Sequence, residues 1–285
     1  MKVKFWGVRG SIPAPGPNTV RYGGNTTCIE VRSDEDDLII LDGGTGIFPL
    51  AQSLLKSLPI TAHIFNTHSH WDHIQGLPFF IPIFIPGNKI YLYGAVDPVS
   101  GEGPERIMNV QMQYSFFPVR EAEMKSRIEY VTAMPHQPVM VGKTKITPTM
   151  LNHPVVNLGY RVESNGKSVF FTGDHEPYAN IYAPGDEGNA EYARLITDQR
   201  ASVIDAIRGV DVLIADSSYT IEEHPQKLGW GHGTFDSSIE LAIAAGAKIL
   251  YCTHHEPTRS DDDLERAFAA ALARYATALN GLDVR

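Results

Sequence analysis

Residues 66–76 read Asn-Thr-His-Ser-His-Trp-Asp-His-Ile-Gln-Gly, so that His68, His70, Asp72 and His73 fall within six positions of a chain with eleven histidines in all. Imidazole nitrogen and carboxylate oxygen are the usual ligands of zinc, with iron and manganese as neighbours in preference. In an extended or turning segment alternate side chains face the same way. His68 and His70 then converge on one point, while Asp72 and His73, past the turn, address a second point nearby. Two cations about 3.5–4 Å apart can clamp both the attacking and the leaving oxygen of a hydrolysis. A solvated loop cluster would account for one such histidine, but not for H-x-H-x-D-H set between a strand and an apolar run.

One short cluster cannot fill two coordination shells, so further ligands are expected downstream. His153 in LNHP follows ITPTML, Asp174 in FFTGDHE follows SVFFT, and His254 in LYCTHHEP follows KILYC. Singly, these read as well as a turn residue, a helix N-cap and a satisfied core histidine. Together, in order and each after a strand, they complete the set.

The elements that must position them alternate between strand and helix. Lys2–Val8, 27–31 and Leu38–Leu41 pattern as strands, separated by the turn-rich SIPAPGPNTVRYGGN and the acidic SDEDD. Asp42-Gly43-Gly44-Thr45-Gly46 opens a helix over 47–58, followed by a strand over 60–66. That unit delivers HSHWDH onto the loop after a strand, where α/β proteins place their chemistry. Strands follow at 89–93, 143–151, 158–163, 168–172, 210–215 and 248–253, with helices at 235–245 and 262–279, the last capped by the Ser-Asp-Asp stretch before it. The stretch between 76 and 130 is rich in proline and aromatic residues. No low-complexity linker or short repeat divides the chain, and a single domain over 1–285 is expected.

A net charge of −9 argues against a protein that holds DNA or RNA on a broad basic surface. No stretch approaches the ~18 apolar residues of a membrane span, and the start alternates like a strand instead of running apolar like a signal peptide. A cytoplasmic protein is expected, with no membrane partner. Cys28 and Cys252, both in apolar strand-like runs, read as buried free thiols.

From LDGGTG through HSHWDH, NHP, TGD and the final THH, essentially the whole chain resembles the metallo-β-lactamase superfamily of metal-dependent hydrolases. The resemblance implies an α/β fold, the four-layer αββα sandwich of two mixed sheets with helices on the outer faces. It implies two divalent metal ions, zinc foremost, with manganese or iron as alternatives. His68, His70 and His153 would bind one, Asp72, His73 and His254 the other, with Asp174 bridging. His254 is favoured over His255 because it is the residue immediately after the strand. Asp42, at the LDxG acid, would orient the ligand loops, or else satisfy turn amides.

Within the superfamily, GWGHGTFDSSIELA (229–242) is similar to the glycine-histidine-serine-threonine segment of the ribonuclease Z, cyclic-nucleotide phosphodiesterase and phosphonate-pathway phosphodiesterase branch, with Gly233 replacing the serine. By that resemblance His232 would contact the scissile phosphate and protonate the leaving oxygen, and Asp72, Asp174 and His232 would carry the reaction. Two departures point away from tRNA: Ala215-Asp216-Ser217-Ser218 stands where ribonuclease Z has His-Glu-Ala-Thr, and 76–136 holds no long basic arm. A small phosphodiester such as a cyclic nucleotide is expected, attacked by a hydroxide held at the two metals, with no stable nucleic-acid partner. The alternatives are an acyl hydrolase of lactones, lactams or thioesters on the same site, a tRNA 3′-end endonuclease, or a metal-bearing sensor without turnover. Dimers are common in this branch. Tyr114, Phe116 and Phe117 read as core packing or as a stacking surface for a base, and His175 and Glu176 as pocket lining. His63, His136 and His224 are assigned no role.

Overall fold

Leu38-Ile39-Ile40-Leu41 shows how the layers are built. Leu38 and Ile40 join one apolar cluster and Ile39 and Leu41 another, as a strand with period-two side chains must when both its faces are covered. In the computed structural model, which describes residues 1–285, this strand lies inside a six-stranded sheet. Its members in chain order are β1 (Lys2–Gly7), β2 (Cys28–Arg32), β3 (Leu38–Leu41), β4 (Thr61–Phe65), β5 (Lys89–Gly94) and β6 (Arg127–Thr132). β1, β2 and β3 pair antiparallel and β3 to β6 parallel, so the sheet is mixed.

The second, seven-stranded sheet takes the rest of the chain. It comprises β7 (Val139–Val141), β8 (Thr144–Leu151), β9 (Asn157–Ser164), β10 (Lys167–Phe171), β11 (Val212–Asp216), β12 (Ile249–Thr253) and β13 (Asp283–Val284). It too is mixed, antiparallel from β7 to β10 and parallel from β10 to β13.

The inner faces meet in one cluster: Ile29, Val31, Ile39, Leu41 and Phe65 from the first sheet, Ile146, Tyr160, Val162, Phe171 and Ile214 from the second. The outer face of the first sheet is covered by α1 (Ile47–Leu54) and α3 (Glu105–Gln111), through Ile47, Leu50, Leu54, Ile107 and Met108. The outer face of the second is covered by α4 (Asn189–Ile207), α5 (Phe235–Ala245) and α6 (Asp261–Tyr275). The architecture is the expected αββα sandwich, and Cys28 and Cys252 are buried free thiols. No helix is long and apolar enough to cross a membrane.

Three of the departures from the sequence expectation have a visible physical reason. The helix from Ile47 stops at Leu54 and passes through a 3₁₀ turn, Leu55–Ser57, because Pro59 drives Leu58 into the extended region. The 19-residue α4 was not anticipated: it buries only Val203 and Ile207, too few apolar positions to draw a stripe. The strand β6 was likewise missed, its half-buried residues showing no alternation. Of the aromatic run, Tyr114 and Phe116 are exposed, whereas Phe117 packs edge-to-face on Phe79 with ring centroids 5.3 Å apart.

A candidate metal centre at the strand ends

The turn after β4 is set by Asp42, the residue after β3. Its carboxylate accepts from the Thr67 amide at 2.7 Å and from the Thr67 hydroxyl at 2.9 Å, and it takes the Nδ1 proton of His73 at 2.7 Å. The chain then turns into α2 (Trp71–Ile74), a single helical turn that buries Asp72 and His73 and leaves Trp71 outward. One carboxylate thereby fixes both the loop and the ring orientation of His73.

The downstream residues arrive at the same place. His68, His70, His153 and Asp174 form one group of potential ligands, and Asp72, His73, Asp174 and His254 a second, the ligand atoms of each lying within 4.8 Å of one another. Asp174 belongs to both, with Oδ1 3.1 Å from His73 Nε2 and 3.2 Å from His254 Nε2, and Oδ2 3.4 Å from His68 Nε2. Every ligand residue singled out in the sequence is brought together here. His255 is in neither group, its ring lying near Phe235.

Besides His73, three of the inward nitrogens are aimed by a partner on the ring's far side. His68 Nδ1 meets the Thr67 hydroxyl at 3.0 Å, His153 Nδ1 donates to the Gly231 carbonyl at 2.9 Å, and His254 Nδ1 meets the Ser218 hydroxyl at 3.0 Å. The inward nitrogens crowd together: His73 Nε2 and His254 Nε2 stand 3.3 Å apart, His70 Nδ1 and His153 Nε2 3.1 Å. His68 Nε2 and Asp174 Oδ1 are buried with no hydrogen-bond partner at all. Buried polar atoms left without a partner are costly. The arrangement fits cations, which would satisfy all of them at once.

Burial works against charge on His73, but Asp174, Asp72 and Asp42 outweigh it and raise its pKa well above the usual imidazole value. Burial likewise pushes Asp174 up, and the surrounding His254, His73, His68 and His232 pull it well below the ordinary carboxylate range. The centre is thus built around an anionic Asp174.

A second layer carries His232, in the glycine-rich loop before α5. Its Nδ1 lies 2.9 Å from Asp216 Oδ2 and 3.7 Å from Asp174 Oδ2, and its ring stacks 4.8 Å from that of His254. Burial opposes the imidazolium, yet Asp216 and Asp174 bring its pKa up to about 9. A third possible ligand group, Asp174, Asp216, His232 and His254, overlaps the second. Glu176 grips the loop itself, accepting from the Gly229 and Gly231 amides at 2.9 and 2.8 Å, with His224 3.4 Å away. His175 is half-buried behind this layer, its Nδ1 accepting from the Asn152 amide and its pKa lowered by burial to about 4.

Sequence reasoning missed several contributors. Asp216 was noted only as a departure from a family segment, although an acid closing a buried strand is a signal of its own. Ser11, whose amide meets Asp72 Oδ2 at 2.7 Å, and Gly10, which lies against the His254 ring, come from the loop after β1 and carried no local pattern.

Residues 38–255 match the family described as the Beta-lactamase superfamily domain. The chain is 25% identical over 275 residues to the Mycobacterium tuberculosis protein Rv1339, covering 93% of this chain and 84% of that one. It is 25% identical over 285 residues to ribonuclease Z of Lachnoclostridium phytofermentans, covering 90% and 88%. Among solved structures it is similar to the metallo-β-lactamase fold protein YhfI of Bacillus subtilis, with a TM-score of 0.67 and 18% identity over 99% of this chain and 95% of that one.

Proposed function

Because the chain belongs to the metallo-β-lactamase superfamily of hydrolases, we propose that it is a phosphodiesterase acting on a small ester, with two divalent cations, zinc foremost, as resident cofactors. His68, His70 and His153 would hold one cation, Asp72, His73 and His254 the other, and Asp174 both. When bound, the cations supply charge against the phosphate oxygens and acidify a water.

The observation that carries the reading is the His232–Asp216 pair set beside this centre. A phosphodiester is anionic, and its alkoxide leaving group needs a proton. His232 offers both a positive charge and that proton: Nδ1 is engaged by Asp216 at 2.9 Å, so Nε2 is the nitrogen free to donate. Two cations bound by the neighbouring residues would lower its pKa from about 9 toward neutrality, the range that suits a general acid. Asp216 holds the ring and its tautomer, Glu176 holds the loop, and Asp42 holds His73. A relative named ribonuclease Z, a quarter identical over nine-tenths of the chain, supports phosphodiester chemistry. The net charge of −9 favours a small ester over a long RNA.

The test is hydrolysis of bis(p-nitrophenyl) phosphate by protein loaded with zinc or manganese, with Asp174→Ala as control. Turnover lost in the control is expected. Inert phosphodiester with two cations verifiably bound would overturn the reading in favour of carboxylic esters or thioesters.

A further inference from the structure

Next to the metal centre is a cavity of about 310 Å³, sharing a wall with the centre through His68 and Ser69. Trp71 is part of its lining and is 62% exposed. The indole has no aromatic neighbour, cation or hydrogen-bond partner in the protein, so nothing in the fold accounts for it. α2 needs Asp72, His73 and Ile74 inward; the remaining outward position requires no large apolar group.

The rest of the lining suits a flat, uncharged ring. Ile107 and Val110 of α3, with Val155 and Val156 after β8, give aliphatic walls. Two of the polar groups offer acceptors. Gln111 donates its Nε2 to the Ile107 carbonyl at 3.2 Å and receives no donor on Oε1, and the Asp97 carboxylate is held by the Val99 amide at 3.0 Å and the Ser100 hydroxyl at 2.8 Å. Arg106, the one cation on the lining, is tied to Glu102. A second phosphate would find no free positive charge here, whereas an amino-bearing heterocycle would find acceptors at its edge and an indole for its face.

We propose that this cavity receives the base of a nucleotide ester, an amino-bearing nucleobase stacked on Trp71 while its phosphate lies at the metal centre. The proposal rests on the phosphodiesterase reading for the reaction, but its binding test does not require turnover. Stacking on an aromatic side chain is worth about tenfold to a hundredfold in affinity per base.

The probes are AMP and ribose 5-phosphate, which share sugar and phosphate and differ by the base, titrated calorimetrically into zinc-loaded protein. AMP is expected to bind at least about tenfold tighter. Trp71→Ala should bring AMP down to the level of ribose 5-phosphate, and Trp71→Phe should restore most of the difference. Because Trp71 lies between candidate ligands, Val110→Trp is the second variant: it fills the cavity from the opposite wall and should weaken AMP alone, with zinc content checked by elemental analysis. Equal affinities in the parent protein, or an AMP advantage surviving both Trp71→Ala and Val110→Trp, would overturn the proposal. Phosphodiester turnover without an AMP advantage would sink the cavity assignment alone. An AMP advantage without turnover would sink the phosphodiesterase reading alone.

Discussion

The imidazole of His232 is tied through Nδ1 to Asp216 Oδ2 at 2.9 Å, and Ser218 holds the other oxygen of that carboxylate through its amide at 3.1 Å and its hydroxyl at 2.7 Å. Asp216 is therefore anchored before it meets His232. Asp216→Asn keeps the shape and removes the charge that raises the His232 pKa, so the basic limb of the kcat/KM profile is expected to move to lower pH. The rate should fall about 10²-fold for alkoxide leaving groups, where a general acid counts most, and far less for p-nitrophenolate. His232→Ala should show the same leaving-group dependence with both metals retained. An Asp216→Asn profile that coincides with the parent's would refute a proton-donor role for His232.

The division of ligands predicts how metal is lost. Asp72→Ala or His73→Ala should bring bound metal from two equivalents to one by elemental analysis, since His68, His70 and His153 are untouched. Asp174→Ala should weaken both sites. As the cluster without cations leaves His68 Nε2 and Asp174 Oδ1 buried and unpartnered, chelation should lower Tm, and re-addition of zinc should restore it by mass action. A Tm indifferent to chelator would argue against metal binding at this cluster.

What the sequence made legible and what it hid follow from the range of the interactions. HSHWDH and the residues after the strands were readable because ligand type, order and strand patterning are all local features; apolar runs such as Leu38–Leu41 marked single strands, while the αββα layering came from the family resemblance. The aiming groups were hidden because they join distant segments: Ser218 to His254, the Gly231 carbonyl to His153, and Ser11 to Asp72, 61 positions apart. α4 was hidden for another reason, its exposure leaving no hydrophobic period to read.

His63 gives a pH prediction away from the centre. Its ring stacks on Tyr91 with centroids 4.7 Å apart, its Nδ1 meets the Tyr93 hydroxyl at 3.0 Å, and partial burial lowers its pKa. A histidine whose folded pKa lies below its unfolded value of about 6.5 binds more protons when unfolded, so its contribution to stability is present above that pH and is lost as pH falls. His63→Gln removes this dependence. The stability difference between parent and variant should shift against the parent from pH 7 to pH 5, measured by urea unfolding. A difference constant across that range would show that His63 titrates alike in both states.

Gly10 tests whether the loop after β1 shapes the centre. A Cβ at this position would stand 2.3 Å from His254 Cε1 and Nδ1, far inside van der Waals contact. The ring cannot move aside freely: Nδ1 is held by Ser218, and Nε2 lies 2.9 Å from Asp72 Oδ2. Gly10 itself is pinned by its amide to the His255 carbonyl at 3.0 Å, while Ser11 donates to the same Asp72 oxygen at 2.7 Å. Gly10→Ala must therefore displace His254 or the loop, and either change disturbs the group formed by Asp72, His73, Asp174 and His254. The expected result is a loss of about 10- to 100-fold in affinity for one metal, the scale typical of disturbed ligand support, with the other site unaffected. Metal titration of the variant checks this, and two sites of parental affinity would mean that His254 is not a ligand in the position seen here.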